Sequence, residues 1–222
     1  MCGRFASANQ DDIVDTFDIH VVTTRIEPSW DVRPTTQISI VVEDRDTARR
    51  KNRDPARELR GARWGLVPSW SAGLDKRLLL INARSETILS KPLFRTAARH
   101  RRAIIPAKGY YEWANLGGAK TPFFLHDPEQ PIIGFAGLYE WWKLPDSQTI
   151  PGSQDGWLCS ATIITRPATD ALGHIHDRMP VVAPPDMRNL WLDPTITETD
   201  QIDVLLHAIP DPTLIPTQGT PG

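Results

Sequence analysis

The sequence predicts one mixed domain built from many short β-strands and a few short helices, and three observations carry that expectation. Its 222 residues, 40% hydrophobic and 23% charged, suit a single domain with a sizeable core. Short apolar runs recur along the chain, each closed by turn residues. Twenty prolines, about 9% of the chain against an average near 5%, are spread throughout instead of forming a linker. Neither a domain boundary nor a repeat stands out.

Taken in order, 9–17 reads as a helix, with Ile13, Val14 and Phe17 at helical spacing behind a cap at Ser7 or Asn9. Residues 37–42 alternate or run apolar like a strand, as do 122–125, 132–137 and 161–165. Further helices are expected at 85–89, 92–99, 186–191 and 199–208. Residues 44–63 carry eight Arg or Lys with almost no apolar side chains, which predicts a solvated loop or hairpin insertion over 45–63. The domain is expected to span 1–210, and 211–222, rich in Pro and Gly, to be a loose C-terminal tail.

No run approaches the ~18 apolar residues of a membrane span, and the N-terminus lacks a secretory layout. The chain is therefore expected in the cytoplasm. Cys2 and Cys159 are too few for a disulfide framework or a four-cysteine zinc site, and neither is expected to be bridged. The formal net charge of −2 hides an asymmetry: residues 1–110 hold 20 basic against 13 acidic side chains, whereas 111–222 hold 5 against 14. Nineteen of the 25 basic residues are arginine, whose planar fork suits phosphate. A merely solvated basic face fits the same numbers.

Cys2 carries the most chemistry. Removal of Met1 leaves an α-amine beside a thiol, a 1,2-aminothiol that can act as an N-terminal nucleophile or close an aldehyde into a five-membered thiazolidine. The ordinary pKa values of amine and thiol predict some free amine and thiolate near neutrality without much tuning. Glu112 lies among aromatics, where burial would raise its pKa and suit it to proton transfer; pairing with an arginine at a strand end is the other reading. His176 can carry a proton. His174 would share its side in an extended segment, but no third ligand lies at metal spacing. Asn82 and Arg84 follow an apolar run, where side chains emerge from a strand end. Trp64, Trp70 and Trp113 sit near Arg and Pro and could stack on unpaired bases or simply fill the core. No phosphate-cradling glycine loop or zincin motif is present.

The ordered motifs CGRF at 2–5, WGLVPSW at 64–70, NARSET at 82–87, RRAIIPAKGYYEW at 101–113, FAGLYEW at 135–141 and IHDRMP at 175–180 resemble the SRAP family, the SOS-response-associated peptidase group. The resemblance implies an α+β fold, with antiparallel, barrel-like sheets flanked by short helices. It implies a sensor and shield of abasic sites in single-stranded DNA that crosslinks the ring-opened sugar through a mature N-terminal Cys2. Carried over by motif, Asn82 positions the Cys2 amine and the sugar, Glu112 shuttles protons, and His176 assists ring opening and crosslink reversal. Arg4, Arg84 and Arg178 hold phosphates, while Pro34 and Trp70 lean on the bases and split duplex from single strand. No cofactor or metal is implied, and the partner is abasic single-stranded DNA, including single-strand/duplex junctions, met by a monomer in the cytoplasm or on the nucleoid. Asp31 stands where the family usually shows Asn, and Ala183 where Leu is common; Asp31 is therefore left out of the site. Two other classes share these residues: a thiol peptidase or amidohydrolase using Cys2, with self-processing of Met1 and lyase-type chemistry alongside, and a noncovalent DNA-binding module.

Overall fold

Side chains that alternate along each strand between two apolar environments organise the molecule. The computed structural model describes residues 2–43, 56–74, 79–146, 148–169 and 174–219. Five strands close on one another: β3 (Gln37–Glu43), β4 (Arg57–Trp64), β6 (Arg102–Ala107), β9 (Ile133–Lys143) and β10 (Trp157–Pro167). Antiparallel pairing runs β4–β3–β6–β9–β10, and a parallel pairing of Ser160 with Arg63 and Ala161 with Trp64 shuts the barrel. Ile38, Ile40, Val42, Ala103, Ile105, Phe135, Ala161 and Ile163 fall in one buried cluster, whereas Val41, Ile104, Ala136, Leu138 and Ile164 fall in another. That is the period-two division of a strand with both faces covered.

The second cluster is shared with the helices. In α1 (Gln10–Phe17), Ile13 and Phe17 are buried four residues apart and Asp11 and Asp12 occupy the dipole-favoured first turn. Asn9 is its N-cap but makes no side-chain capping bond. In α2 (Arg95–His100), Ala97 and Ala98 are buried; in α3 (Arg188–Leu192), Arg188, Trp191 and Leu192; in α4 (Thr199–Ala208), Ile202, Leu205 and Leu206. Buried Arg102 gathers two of these helices: its guanidinium donates to the carbonyls of Trp191 at 2.7 Å and Ala98 at 3.0 Å. Burial pulls its pKa down to about 10, which still leaves it charged at neutrality.

The first cluster joins the barrel to a four-stranded sheet ordered β1 (Phe5–Ala6), β7 (Gly109–Leu116), β8 (Ala119–His126) and β12 (Ile215–Gln218). Phe5 is locked there edge-on to Trp64 at 5.1 Å and to Phe135 at 6.0 Å. Gly109 permits β7 to lie against β8, because a Cβ would sit 2.4 Å from the Leu125 carbonyl oxygen. Short strands β2 (Val21–Val22), β5 (Asn82–Arg84) and β11 (Arg178–Pro180) pair with β4, β10 and β10 respectively.

Several expectations are corrected. Residues 57–63 are not a solvated loop: they form barrel strand β4, with Glu58, Leu59, Arg60 and Ala62 buried. Its charges are matched internally, Arg57 to Glu43 at 2.6 Å and Arg60 to Glu58 at 2.6 Å, which permits a strand of polar composition. Residues 44–55 of that segment lie outside the described residues. Nor is 211–219 loose, since Leu214 is buried and Ile215–Gln218 pairs with β8. Proline at 216 is tolerated because β12 is an edge strand. The helix expected at 85–89 is one 3-10 turn, Ser85–Thr87; that at 92–99 begins only at Arg95; that at 186–191 divides into a 3-10 turn, Pro185–Met187, and α3.

Candidate active site around Cys2

The segment preceding β1 carries Cys2 into the first cluster, where it is fully buried. Asn82, the first residue of β5, donates its side-chain amide to the Cys2 carbonyl at 2.8 Å. Among the described residues its Oδ1 is buried and accepts no hydrogen bond, an unspent acceptor beside the thiol residue. On the other flank β7 pairs with β1, and the Tyr111 amide donates to the Arg4 carbonyl at 2.9 Å. This pairing brings Glu112 to Cys2. Glu112 is buried, which raises its carboxyl pKa, with His176 opposing and Asp177 reinforcing the rise. Burial likewise pushes the Cys2 thiol well up, and Glu112 adds to it.

Burial thus opposes thiolate formation at Cys2. Tyr110, missed in the sequence, belongs to the same group, its hydroxyl pushed well up by burial, Cys2 and Glu112. Only the adjacent tyrosines in the 101–113 motif hinted at it. His176 Nδ1 accepts from the Arg178 amide at 3.0 Å and lies 2.7 Å from Asp177 Oδ1. His174 is exposed in a turn, so it does not share an extended face with His176.

Four expected residues thus converge: Asn82 and Glu112 on Cys2, and His176 on Glu112. The arginines differ among themselves. Arg84 is exposed, with no side-chain partner among the described residues. It is in register with Thr165 of β10, whose carbonyl accepts from Arg178 at 2.7 Å. Arg178 is also gripped by both carboxylate oxygens of Glu86, a fork that holds Glu86 down at about 2. Arg4 lies over the Trp113 ring at 5.6 Å and pairs with Asp31 at 2.8 Å. Asp31 also accepts from Arg33, whose hydrogen bond holds it below the usual carboxylate range. Neither Asp31 nor Arg33 was among the residues selected from sequence.

Of the aromatics, Trp64 is core, fully buried with its indole N–H on the Ile81 carbonyl at 3.0 Å. Trp70 is 66% exposed and Pro34 half-buried. Next to Pro34, Thr35 holds a left-handed φ of 73°, a conformation that costs a residue with a branched side chain about 1–2 kcal/mol. Among the described residues no three His, Cys, Asp or Glu side chains group to hold a metal, and no helix is long and apolar enough to cross a membrane. Neither Cys2 nor Cys159 forms a disulfide among the described residues.

Comparison with known proteins extends this picture. A model described as SOS response associated peptidase (SRAP) matches residues 1–218. The chain is 37% identical over 210 residues to the abasic site processing protein YoaM of Bacillus subtilis strain 168, covering 93% of this chain and 85% of that protein. To the abasic site processing protein HMCES of Xenopus tropicalis it is 29% identical over 182 residues, 72% of this chain and 52% of that one. A crystal structure from Bordetella bronchiseptica superposes with a TM-score of 0.77 at 24% identity, covering 99% of this chain and 100% of the other. One from Bacteroides thetaiotaomicron gives 0.76 at 24% identity, with 92% and 86% covered. At that identity the structural likeness is one of fold.

Proposed function

The chain belongs to the SOS response associated peptidase family, whose matched relatives are abasic site processing proteins, and from that premise we propose that it captures abasic sites in single-stranded DNA covalently through Cys2. The observation that carries the reading is the buried Glu112, electrostatically coupled to Cys2 on one side and to His176 on the other.

With Met1 removed, the neutral Cys2 α-amine attacks the C1′ aldehyde of the ring-opened sugar. Glu112, whose burial favours its protonated form, donates a proton to the carbinolamine hydroxyl, which leaves as water and yields a protonated imine beside the Glu112 carboxylate. The thiol then adds across the C=N bond: sulfur bonds to carbon, the nitrogen keeps its proton as the ring N–H, and the S–H proton passes to the Glu112 carboxylate, restoring the acid. The product is a thiazolidine, and one water is lost overall. A thiol that burial keeps from ionising suits this order, because the amine reacts first and the sulfhydryl proton restores Glu112 at the end. His176 moves a proton between the C1′ hydroxyl and the ring oxygen during opening and in crosslink reversal. Asn82 fixes the Cys2 backbone and offers Oδ1 to a sugar hydroxyl. Arg4, Arg84 and Arg178 face phosphates, and Pro34 and Trp70 meet the bases at a single-strand/duplex junction.

Intact-protein mass spectrometry tests this. Loss of Met1, followed by a gain equal to an abasic oligonucleotide minus water, is the expected result; an adduct formed by Cys2→Ala or by a chain retaining Met1 overturns the mechanism. The family description also names a peptidase. The same assay separates that activity, since a peptide cleaved with turnover is not a stoichiometric adduct.

A further inference from the structure

Two guanidinium groups converge on one carboxylate beside the site. Arg4 Nε lies 2.8 Å from Asp31 Oδ1 and its Nη2 donates to Oδ2 at 3.0 Å. Arg33 donates to the same Oδ2 through Nε at 2.9 Å and Nη2 at 2.7 Å. Paired forks around an anion are the arrangement arginine uses on phosphate. The backbone fixes it: Val32 donates to the Phe5 carbonyl at 2.9 Å, and the Asp31 amide donates to Ser29 Oγ at 3.1 Å. Asp31 is thereby tied to the segment that carries Arg4, two residues from Cys2. The trio is open to solvent, with side-chain exposures of 26% for Arg4, 23% for Asp31 and 62% for Arg33.

We infer that Arg4 and Arg33 form a clamp for a DNA backbone phosphate next to the lesion, and that Asp31 is its built-in stand-in, holding both forks in place until a phosphate displaces it. The inference rests on the DNA reading above and adds Arg33 and Asp31 to it. Displacement is feasible because ion pairs this exposed hold weakly. Each phosphate neutralised on a single strand releases condensed counterions, so exchange is favoured at low salt. Asp31 thus sets a threshold: it subtracts one charge from the clamp and keeps weak anions out, while a polyanion overcomes it.

The experiment is reversible binding of a fluorescein-labelled, lesion-free single-stranded oligonucleotide, followed by anisotropy from 50 to 200 mM NaCl. A lesion-free strand offers no aldehyde, so no adduct interferes. Asp31→Asn should tighten binding roughly fivefold at low salt and steepen the slope of log K against log salt by about 0.7, the value of one phosphate. Arg33→Ala, on an exposed side chain, should weaken binding and flatten the slope by a similar amount. The clamp is overturned if Asp31→Asn weakens binding or leaves the slope unchanged, or if Arg33→Ala binds as the wild type does. The two readings fail separately: a wild-type protein that shows these slopes but forms no adduct with an abasic strand loses the covalent mechanism and keeps the clamp. One that does not bind the strand at all loses both.

Discussion

The Asn82 side-chain amide and the Cys2 carbonyl meet at 2.8 Å, so the first residue of β5 holds the residue that carries the nucleophiles. Since β5 pairs with β10 of the barrel, Cys2 is referenced to the barrel. Asn82→Ala should slow crosslink formation by roughly a hundredfold, the scale of a small misplacement of reacting groups, while leaving binding of a lesion-free strand intact. Single-turnover gel assays of both steps decide it, and an unchanged rate removes Asn82 from the mechanism.

Glu112→Gln should slow capture by roughly a hundredfold, within the usual contribution of a positioned acid/base. Stability supplies an independent sign. Burial raises the Glu112 pKa in the fold, so the stabilisation from its protonated form is complete below the ordinary carboxyl range and is lost as pH rises through the folded value. Wild-type Tm should therefore drop across that window relative to Glu112→Gln. Parallel Tm–pH curves would show that the carboxyl is not perturbed.

Glu86 behaves in the opposite way. Arg178 holds its pKa at about 2, below the ordinary 4.5, so its contribution is full above pH 4.5 and disappears as pH falls toward 2. Because Glu86 is 46% exposed, solvent screening limits the effect to about 1 kcal/mol. Denaturant titrations of Glu86→Gln should show that loss at pH 7 and none near pH 2; an equal loss at both would assign the effect to packing.

Phe5→Ala should cost about 3–5 kcal/mol, as for a fully buried phenyl ring, and should impair capture even where the protein remains folded, because the two-residue strand that presents Cys2 and Arg4 loses its anchor. Phe5→Leu should restore most of the stability. Urea unfolding and adduct yield, compared for the pair, check both claims.

The fold was legible where pattern and burial agree. Ile202, Leu205 and Leu206 marked α4 at its true ends, and the apolar alternation of 37–42 marked β3 to within one residue. Strand β4 was not legible because a buried strand with Arg57 and Arg60 reads as a loop until Glu43 and Glu58 are seen to neutralise them. The same internal pairing explains why the excess of arginine in the first half of the chain overstated its free positive charge: Asp31 occupies Arg4 and Arg33, Glu43 occupies Arg57, and Glu58 occupies Arg60. Cys2 and Glu112 meet only through the pairing of β1 with β7, a relation that no local spacing records; the motif resemblance, not periodicity, brought them together. Tyr110 and Arg33 gave no separate signal.

The complete burial of Cys2 imposes an order of events on biosynthesis. It belongs to a buried cluster that also draws on β7, β9 and β10, so its place does not exist until most of the chain has left the ribosome. During this interval the N-terminus is open to an aminopeptidase; once the barrel has shut, Cys2 itself is no longer exposed to one. Trimming by another protein and completion of the barrel are thus competitors in time, and a chain that folds first keeps its cap unless it removes the cap itself.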